Sequence, residues 1–280
     1  MIEIESLLTN GYFIAICILI FVLIVVKIPD TYNNSHEGFI QTSPFIAKSD
    51  NDIYDTFYAT VYDTLHDPNT RSKADYSKIV ELTRPSRSSS VFLDIGSGTG
   101  HLVNRLDQNG YSVYGIDKSP AMVKQSLTKH PEIDVKSGDV LDPTTYDHGM
   151  FTHITCMDQT IYHIEDKHMF FRNCYNWLMP NGFLILHLID KGESVKDKMV
   201  EFVDFKYNRK HERKDDGRVV VKEQFIDDIL KNVRQNELTL YMDQLSRIVK
   251  MALENGFVAH AQVNVQGDDS QYIYVFERLL

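Results

Sequence analysis

Three carboxylates and three glycines are the residues of this chain best placed to do chemistry: Asp94, Asp117, Asp139 and Gly96, Gly98, Gly100. They begin in Val91-Phe92-Leu93-Asp94-Ile95-Gly96-Ser97-Gly98-Thr99-Gly100, an apolar run ending on alternate glycines, with His101-Leu102-Val103 directly after. Glycine accepts positive φ and lets a ligand approach bare backbone. A helix starting there presents free N–H groups and partial positive charge. The pattern is a nucleotide-type site at the end of a strand. It is not the dinucleotide fingerprint G-x-G-x-x-G, because the third glycine comes one residue early. No Lys-Ser or Lys-Thr pair follows, which excludes a P-loop. A carboxylate two residues before the first glycine repels a pyrophosphate and suits a cation.

A ligand with adenosine at one end and an ammonium plus a sulfonium at the other fits those charges. The spacing downstream agrees. Tyr111-Ser112-Val113-Tyr114-Gly115-Ile116-Asp117 reads as a second strand ending in an acid 17 positions after Gly100, where a carboxylate can accept both ribose hydroxyls. Ser119-Pro120 starts a helix, with serine as N-cap and proline in the first turn. Ile133-Asp134-Val135-Lys136 is a third strand, leading into Ser137-Gly138-Asp139-Val140.

Taken together, these stretches resemble the class I S-adenosylmethionine-dependent methyltransferases, over roughly residues 50–280. The resemblance implies S-adenosylmethionine as cofactor, with Asp139 toward the exocyclic amine of adenine and the Val140 backbone beside it. Tyr54 to Asp63 is similar to the aromatic-acid helix that covers the cofactor in many small-molecule members, which makes Tyr58 and Tyr62 cofactor contacts. A surface helix packed on the core by its aromatics accounts for the same tyrosines. The loop after the fourth strand, Met157-Asp158-Gln159-Thr160-Ile161-Tyr162-His163, resembles the family's segment facing the methionine part and the acceptor. Met157 is thereby a cofactor contact, and Asp158, Tyr162 and His163 are catalytic candidates. His163 could equally cap or orient the following helix. Methyl transfer is an in-line displacement, so orientation dominates, and a base is needed only if the nucleophile arrives protonated. No His, Asp or Glu cluster has metal-ligand spacing, so no metal is expected.

The elements that must position these residues alternate. Strands at 91–95, 111–116, 133–136, 151–156 and 183–189 are separated by helices at 99–109, 119–129 and 165–178. Alternation of this kind predicts an α/β, doubly wound, Rossmann-like parallel sheet with helices on both faces. Residues 191–242 interrupt it. Met199–Phe205, Arg218–Phe225 and a piece near 237–242 have β character around an Asp215-Asp216-Gly217 turn, predicting an antiparallel insertion over the acceptor side. Helix 243–254 and strands 256–264 and 271–277 complete seven strands, the last antiparallel by family resemblance. Lys206, Arg209, Lys210, Arg213, Lys214 and Arg218 read as a solvated hairpin tip or as a surface drawn to anionic lipid.

The first thirty residues stand apart. Tyr12 to Val26 is an unbroken apolar run of 15. Extended from Leu7 to Ile28 it reaches the length of a membrane span. A cleaved signal peptide would carry a basic n-region, whereas Glu3 and Glu5 precede this run. The expected layout is a transmembrane anchor at 1–30, a polar linker at 31–50 and a methyltransferase domain at 51–280. Lys27 and Lys48 favour a single-pass protein with a cytosolic catalytic domain. Three cysteines without a framework suit a reducing compartment. A net charge of −10 argues against a duplex nucleic-acid partner. The expected partners are a membrane and a small-molecule or lipid-like methyl acceptor. A protein acceptor, and a tethered cofactor-binding module without catalysis, are the alternatives.

Overall fold

In a computed structural model of the protein, the described residues are 43–190, 197–202, 205–227, 231–265 and 268–279. The apolar run expected to span a bilayer lies outside them. Among the described residues no helix is long and apolar enough to cross a membrane.

In chain order the elements are β1 (Phe45–Ser49), a 3-10 turn (Asp50–Ile53), α1 (Thr56–His66), α2 (Pro68–Thr83), β2 (Val91–Ile95), α3 (His101–Gln108), β3 (Ser112–Asp117) and α4 (Pro120–Lys129). Next come β4 (Asp134–Ser137), β5 (Phe151–Cys156), a second 3-10 turn (Thr160–His163), α5 (Lys167–Trp177) and β6 (Leu178–Ile189). The remainder is β7 (Lys198–Glu201), β8 (Lys206–Arg213), β9 (Arg218–Ile226), β10 (Val233–Tyr241), α6 (Leu245–Glu254), β11 (Phe257–Val265) and β12 (Asp268–Arg278).

One sheet has seven strands in the order β11-β12-β6-β5-β2-β3-β4. The strands from β6 to β4 are parallel to one another, while β12 runs antiparallel to both β6 and β11. Side chains alternate between faces with the strand period of two. In β2, Phe92 packs with Ile79, Val103 and Leu106 on the face covered by α2 and α3. Its neighbour Leu93 packs with Phe170, Phe171 and Trp177 on the other. Central strands buried on both faces are what βαβ crossovers demand.

Capping chemistry sets where the helices begin. The Asp55 carboxylate accepts from the Tyr58 N–H at 3.1 Å to start α1. Ser119 caps α4 through the Met122 N–H, with Pro120 in the first turn. Both follow the preference for a short polar acceptor at this position.

A second, five-stranded sheet has the order β1-β10-β9-β8-β7. Its hairpins are antiparallel, and β1 joins β10 in parallel. Two sequence expectations change here. The polar linker expected to reach residue 50 ends sooner, because Phe45–Ser49 is an edge strand paired from Phe45↔Val233 to Ser49↔Glu237. The partner lies far along the chain, so no local pattern could reveal the pairing. Lys206–Arg213, read as part of a hairpin tip, is strand β8, and the tip itself is Lys214–Gly217. The cations there are paired locally: Lys214 and Lys222 with Glu212, and Arg218 with Asp216.

Arg234 of β10 fastens this sheet to α1. Its Nη1 donates to both Asp55 oxygens at 2.9 and 2.8 Å, and its Nη2 to the Ile53 carbonyl at 2.8 Å. A guanidinium fork matches a carboxylate in this way.

Candidate active site

A cavity of about 620 Å³ opens at the carboxyl ends of β2 and β3, between the seven-stranded sheet and β10. Ligands of doubly wound sheets bind at this edge. Gly96, Gly98, Asp117, Asp139, Val140 and Tyr62 line it. So do Asp50, Asn51, Tyr54, His163, Glu165 and Tyr241.

Asp117 organises the glycine turn. Its Oδ2 accepts from the Gly98 N–H at 2.9 Å, and its Oδ1 accepts from the Ser119 N–H at 2.8 Å. Burial raises its pKa, and the two backbone bonds oppose the rise. Each oxygen keeps lone-pair capacity for a further donor. Asp139 sits nearer solvent, pairing with Lys118 at 2.9 Å and accepting from the Leu141 N–H at 2.9 Å. Burial opposes its charge, but these contacts outweigh it and lower the pKa.

Two glycines are required by contact as well as by φ. Gly96 has φ +69, and a Cβ there would lie 2.4 Å from Thr160 Cγ2. Gly98 has φ +56 and faces Met122 and Tyr62 at van der Waals distance. Such φ values cost any side chain with a Cβ.

Next to the glycine turn is a smaller pocket of about 70 Å³, lined by Asp75, Asp94, Arg71, Met157 and Asp158 among others. Asp94 is buried and accepts from Thr155 Oγ1 at 2.7 Å. Burial pushes its pKa up to about 7, Thr155 opposes this, and the charges of Asp75 and Asp117 add to it. Burial likewise raises Asp75 to about 6, against the pull of Arg71. Asp94 is thereby partly protonated near neutrality, and both carboxyls gain by meeting a cation. Arg71 forms an ion pair with Asp158, whose Oδ2 also accepts from the Tyr62 hydroxyl at 3.4 Å. Asp158 and Gln159 both have positive φ, at +50 and +65. Backbone strain of this kind gathers at ligand sites.

His163 faces the larger cavity, with Tyr54 Oη 3.5 Å from its Nδ1. The side chain is exposed at the cavity wall, and desolvation by neighbouring protein, reinforced by Lys167, lowers its pKa below the ordinary histidine value. The imidazole is therefore neutral near pH 7 and able to accept a proton.

Three residues expected in the site are elsewhere. Tyr162 is 1% exposed, and its oxygen accepts from the Ile189 N–H at 2.8 Å. It is a core residue tying the 3-10 turn to β6, not a catalytic group. Tyr58 turns from the cavity toward the five-stranded sheet, its hydroxyl donating to Glu223 Oε1 at 3.1 Å. Gly100 caps α3 with φ +80 and packs against Ile133 and Ser126, where a Cβ would approach Ile133 to 2.7 Å. Asp158 lines both pockets but is neutralised by Arg71, which weakens it as a base.

Several lining residues were not singled out as site residues from the sequence. Tyr54 precedes α1, so it lies off the helix that carries Tyr58 and Tyr62 and reaches the cavity in place of Tyr58. Arg71 sits on a helix with no motif. Leu238, Thr239 and Tyr241 come from β10, whose approach to the cavity is a tertiary matter. Among the described residues no cluster of His, Cys, Asp or Glu is placed to hold a metal ion.

The seven-stranded sheet with its glycine turn and strand-tip acids is the class I methyltransferase architecture, and comparison with known proteins agrees. Residues 93–186 match a family model described as a methyltransferase domain. The chain is 28% identical over 140 residues to the dTDP-4-amino-2,3,4,6-tetradeoxy-D-glucose N,N-dimethyltransferase of Saccharopolyspora spinosa, covering 48% of this chain and 55% of that one. It is 30% identical over 113 residues to a ubiquinone biosynthesis O-methyltransferase of Xanthomonas euvesicatoria pv. vesicatoria (strain 85-10), covering 39% and 47%. The chain thus spans about half the length of the curated relatives it matches. Among solved structures, an S-adenosylmethionine-dependent methyltransferase from Clostridium acetobutylicum ATCC 824 superposes with a TM-score of 0.63 at 17% identity, over 80% of this chain and 98% of that one. The CcbJ methyltransferase from Streptomyces caelestis gives 0.65 at 16% identity, over 81% and 98%. The match over residues 93–186 and the shared fold make the chain similar to S-adenosylmethionine-dependent methyltransferases.

Proposed function

We propose that this protein transfers the methyl group of S-adenosylmethionine to a small-molecule acceptor whose amine or hydroxyl loses a proton in the reaction. One observation carries the reading: a single cavity of about 620 Å³ is lined both by the glycine turn with Asp117 and by the neutral imidazole of His163.

The residues present fit the cofactor. Half-buried Asp117 has acceptor capacity for ribose hydroxyls, and Asp94 and Asp75 favour an ammonium over a phosphate. Arg71 lies in the same small pocket, where a carboxylate of the ligand could compete with Asp158 for it. When bound, S-adenosylmethionine supplies a methyl carbon already activated by its sulfonium. The chain's own residues supply orientation, a contribution that can reach about 7–11 kcal/mol. His163 is the group able to take the acceptor's proton, and Tyr54 stands 3.5 Å from its Nδ1.

A relative whose name specifies N,N-dimethylation of a dTDP-linked amino sugar supports a small acceptor, as do others named for O-methylation in ubiquinone biosynthesis. Asp50 and Glu165, which line the same cavity as His163, suit an acceptor that arrives as an ammonium. Calorimetry with S-adenosylmethionine, S-adenosylhomocysteine and NAD tests the cofactor reading: heat from the first two and none from NAD is expected. Radiolabelled methyl incorporation into metabolite, lipid and protein fractions then assigns the acceptor class. No heat from either adenosyl ligand would end the enzyme reading.

The charge-free run Tyr12–Val26 supports anchoring of this domain to a bilayer, which would bring lipid-like acceptors within reach. Lys27 and Lys48 on its C-terminal side support a cytosolic domain. Carbonate extraction of the full-length chain from membranes checks this, and complete release would contradict it.

A further inference from the structure

Lys167 is the least expected charge in the protein. It is 2% exposed and is the first residue of α5. An ammonium there faces both the cost of burial and the positive end of a helix. Burial lowers its pKa, and Asp243 opposes that. A buried ion pair adds little stability over an apolar residue of equal shape, so its geometry matters more than its energy.

That geometry spans the acceptor part of the cavity. Nζ donates to the Ile164 carbonyl at 2.8 Å, directly after His163, and to the Tyr241 carbonyl at 2.9 Å, the last residue of β10. Asp243 stands 3.2 Å away as counter-ion and is held in turn by Arg247 at 3.0 Å. Ile164 and Tyr241 both line the cavity, so one ammonium binds backbone on two of its walls.

We propose that Lys167 is a positioning residue for methyl transfer, fixing the His163 turn against the end of β10 and so setting the gap that an acceptor enters. This rests on the reading of that part of the cavity as the acceptor site. The ammonium has a second effect, since its charge opposes a proton on His163. Tyr54 is 3.5 Å from the ring and His66 on α1 feels its charge, while Asp50, Asp158, Glu165 and Tyr241 are among the other titratable groups lining the cavity. After desolvation, the Lys167 charge is what depresses the His163 pKa.

The test uses the full chain with isotope-labelled histidine, the His163 resonance being assigned by its loss in His163→Gln. In Lys167→Met the NMR titration midpoint of His163 should rise by about half a unit or more, because a like charge has gone. Lys167→Arg, which keeps the charge, should return it toward wild type. Amide exchange in Lys167→Met should quicken at 160–166 and 238–241 but not at 96–100, and calorimetric affinity for S-adenosylhomocysteine should be unchanged. Asp243→Asn leaves the ammonium on its carbonyls without a counter-charge and should lower the midpoint, which decides the matter if Lys167→Met does not fold. An unmoved midpoint in a folded Lys167→Met, or in Asp243→Asn when that is the deciding variant, overturns the proposal. So does faster exchange spread evenly over the chain. Failure of the wild type to bind S-adenosylhomocysteine would instead sink the cofactor reading, without altering the titrations.

Discussion

Asp63 and His101 meet at 2.7 Å, Oδ2 to Nε2, and this contact fixes α1 to the helix that begins just after Gly100. The same carboxylate accepts from Thr99 Oγ1 at 2.7 Å and from Lys129 Nζ at 2.5 Å. Donors from the glycine turn, α3 and α4 thus converge on one side chain of α1. Its neighbour Tyr62 is held over Gly98 as a consequence.

Partial burial works against the charge of Asp63, but the bonds from His101, Lys129 and Thr99 outweigh it and hold its pKa well below the usual carboxylate range. A group depressed on folding stabilises the protein above its unfolded pKa, near 4 for an aspartate, and loses that contribution as pH falls through the folded value. Asp63→Asn should therefore flatten the loss of stability on acidification. Urea unfolding at about pH 7 and about pH 3.5 compares the two chains. Parallel pH dependences would show that Asp63 contributes nothing to it.

Asp117→Ala should weaken S-adenosylhomocysteine binding about 10- to 100-fold, matching about 1–3 kcal/mol for hydroxyls left without an acceptor. Isothermal calorimetry measures it. Unchanged affinity would detach Asp117 from the cofactor.

Because Asp94 is raised to about 7 by burial, a ligand ammonium must find its carboxyl ionised to gain from it. Affinity for S-adenosylhomocysteine should then fall as pH drops from about 7.5 to about 5.5, by at most about tenfold per unit. Asp94→Asn should bind more weakly at the higher pH and show a flatter profile. A steep profile surviving in Asp94→Asn would assign the proton elsewhere.

Tyr162→Phe leaves the buried Ile189 N–H without its acceptor. Stability should fall by about 1–3 kcal/mol, while cofactor affinity stays as in wild type. Chemical unfolding and calorimetry on one preparation separate these effects. A large loss of affinity with intact stability would return Tyr162 to the active site.

Gly96→Ala drives a methyl group into Thr160 and adds a Cβ at φ +69. Binding should be abolished, and Gly96→Ala combined with Thr160→Ala should recover only part of it, since the backbone strain remains. Full recovery would mean that contact alone explains the glycine.

The sheet was legible because its signals are local. An apolar run such as Val91–Ile95 can be buried on both faces, and Asp117 followed by Ser119-Pro120 marks a strand tip and a helix start within four residues. The site was legible where it lies on those turns: Gly96, Gly98, Asp117, Asp139 and Val140 line the cavity. It was misread where one helix or turn offers several similar side chains. Tyr58 and Tyr62 sit one turn apart on α1, yet Tyr58 meets Glu223 of β9 and Tyr62 meets Asp158. Tyr162 and His163 are adjacent, yet one is core and the other faces the cavity.

By itself the sequence determined the order of strands and helices and the acids at the strand tips, because burial period, glycine φ and capping are properties of a few neighbouring residues. Only the tertiary structure decided what closes the cavity: β1 beside β10, Arg234 on Asp55, Arg71 on Asp158 and Lys167 between two walls. Those contacts join residues distant in the chain, and their partners are chosen by the packing of whole elements rather than by any local pattern.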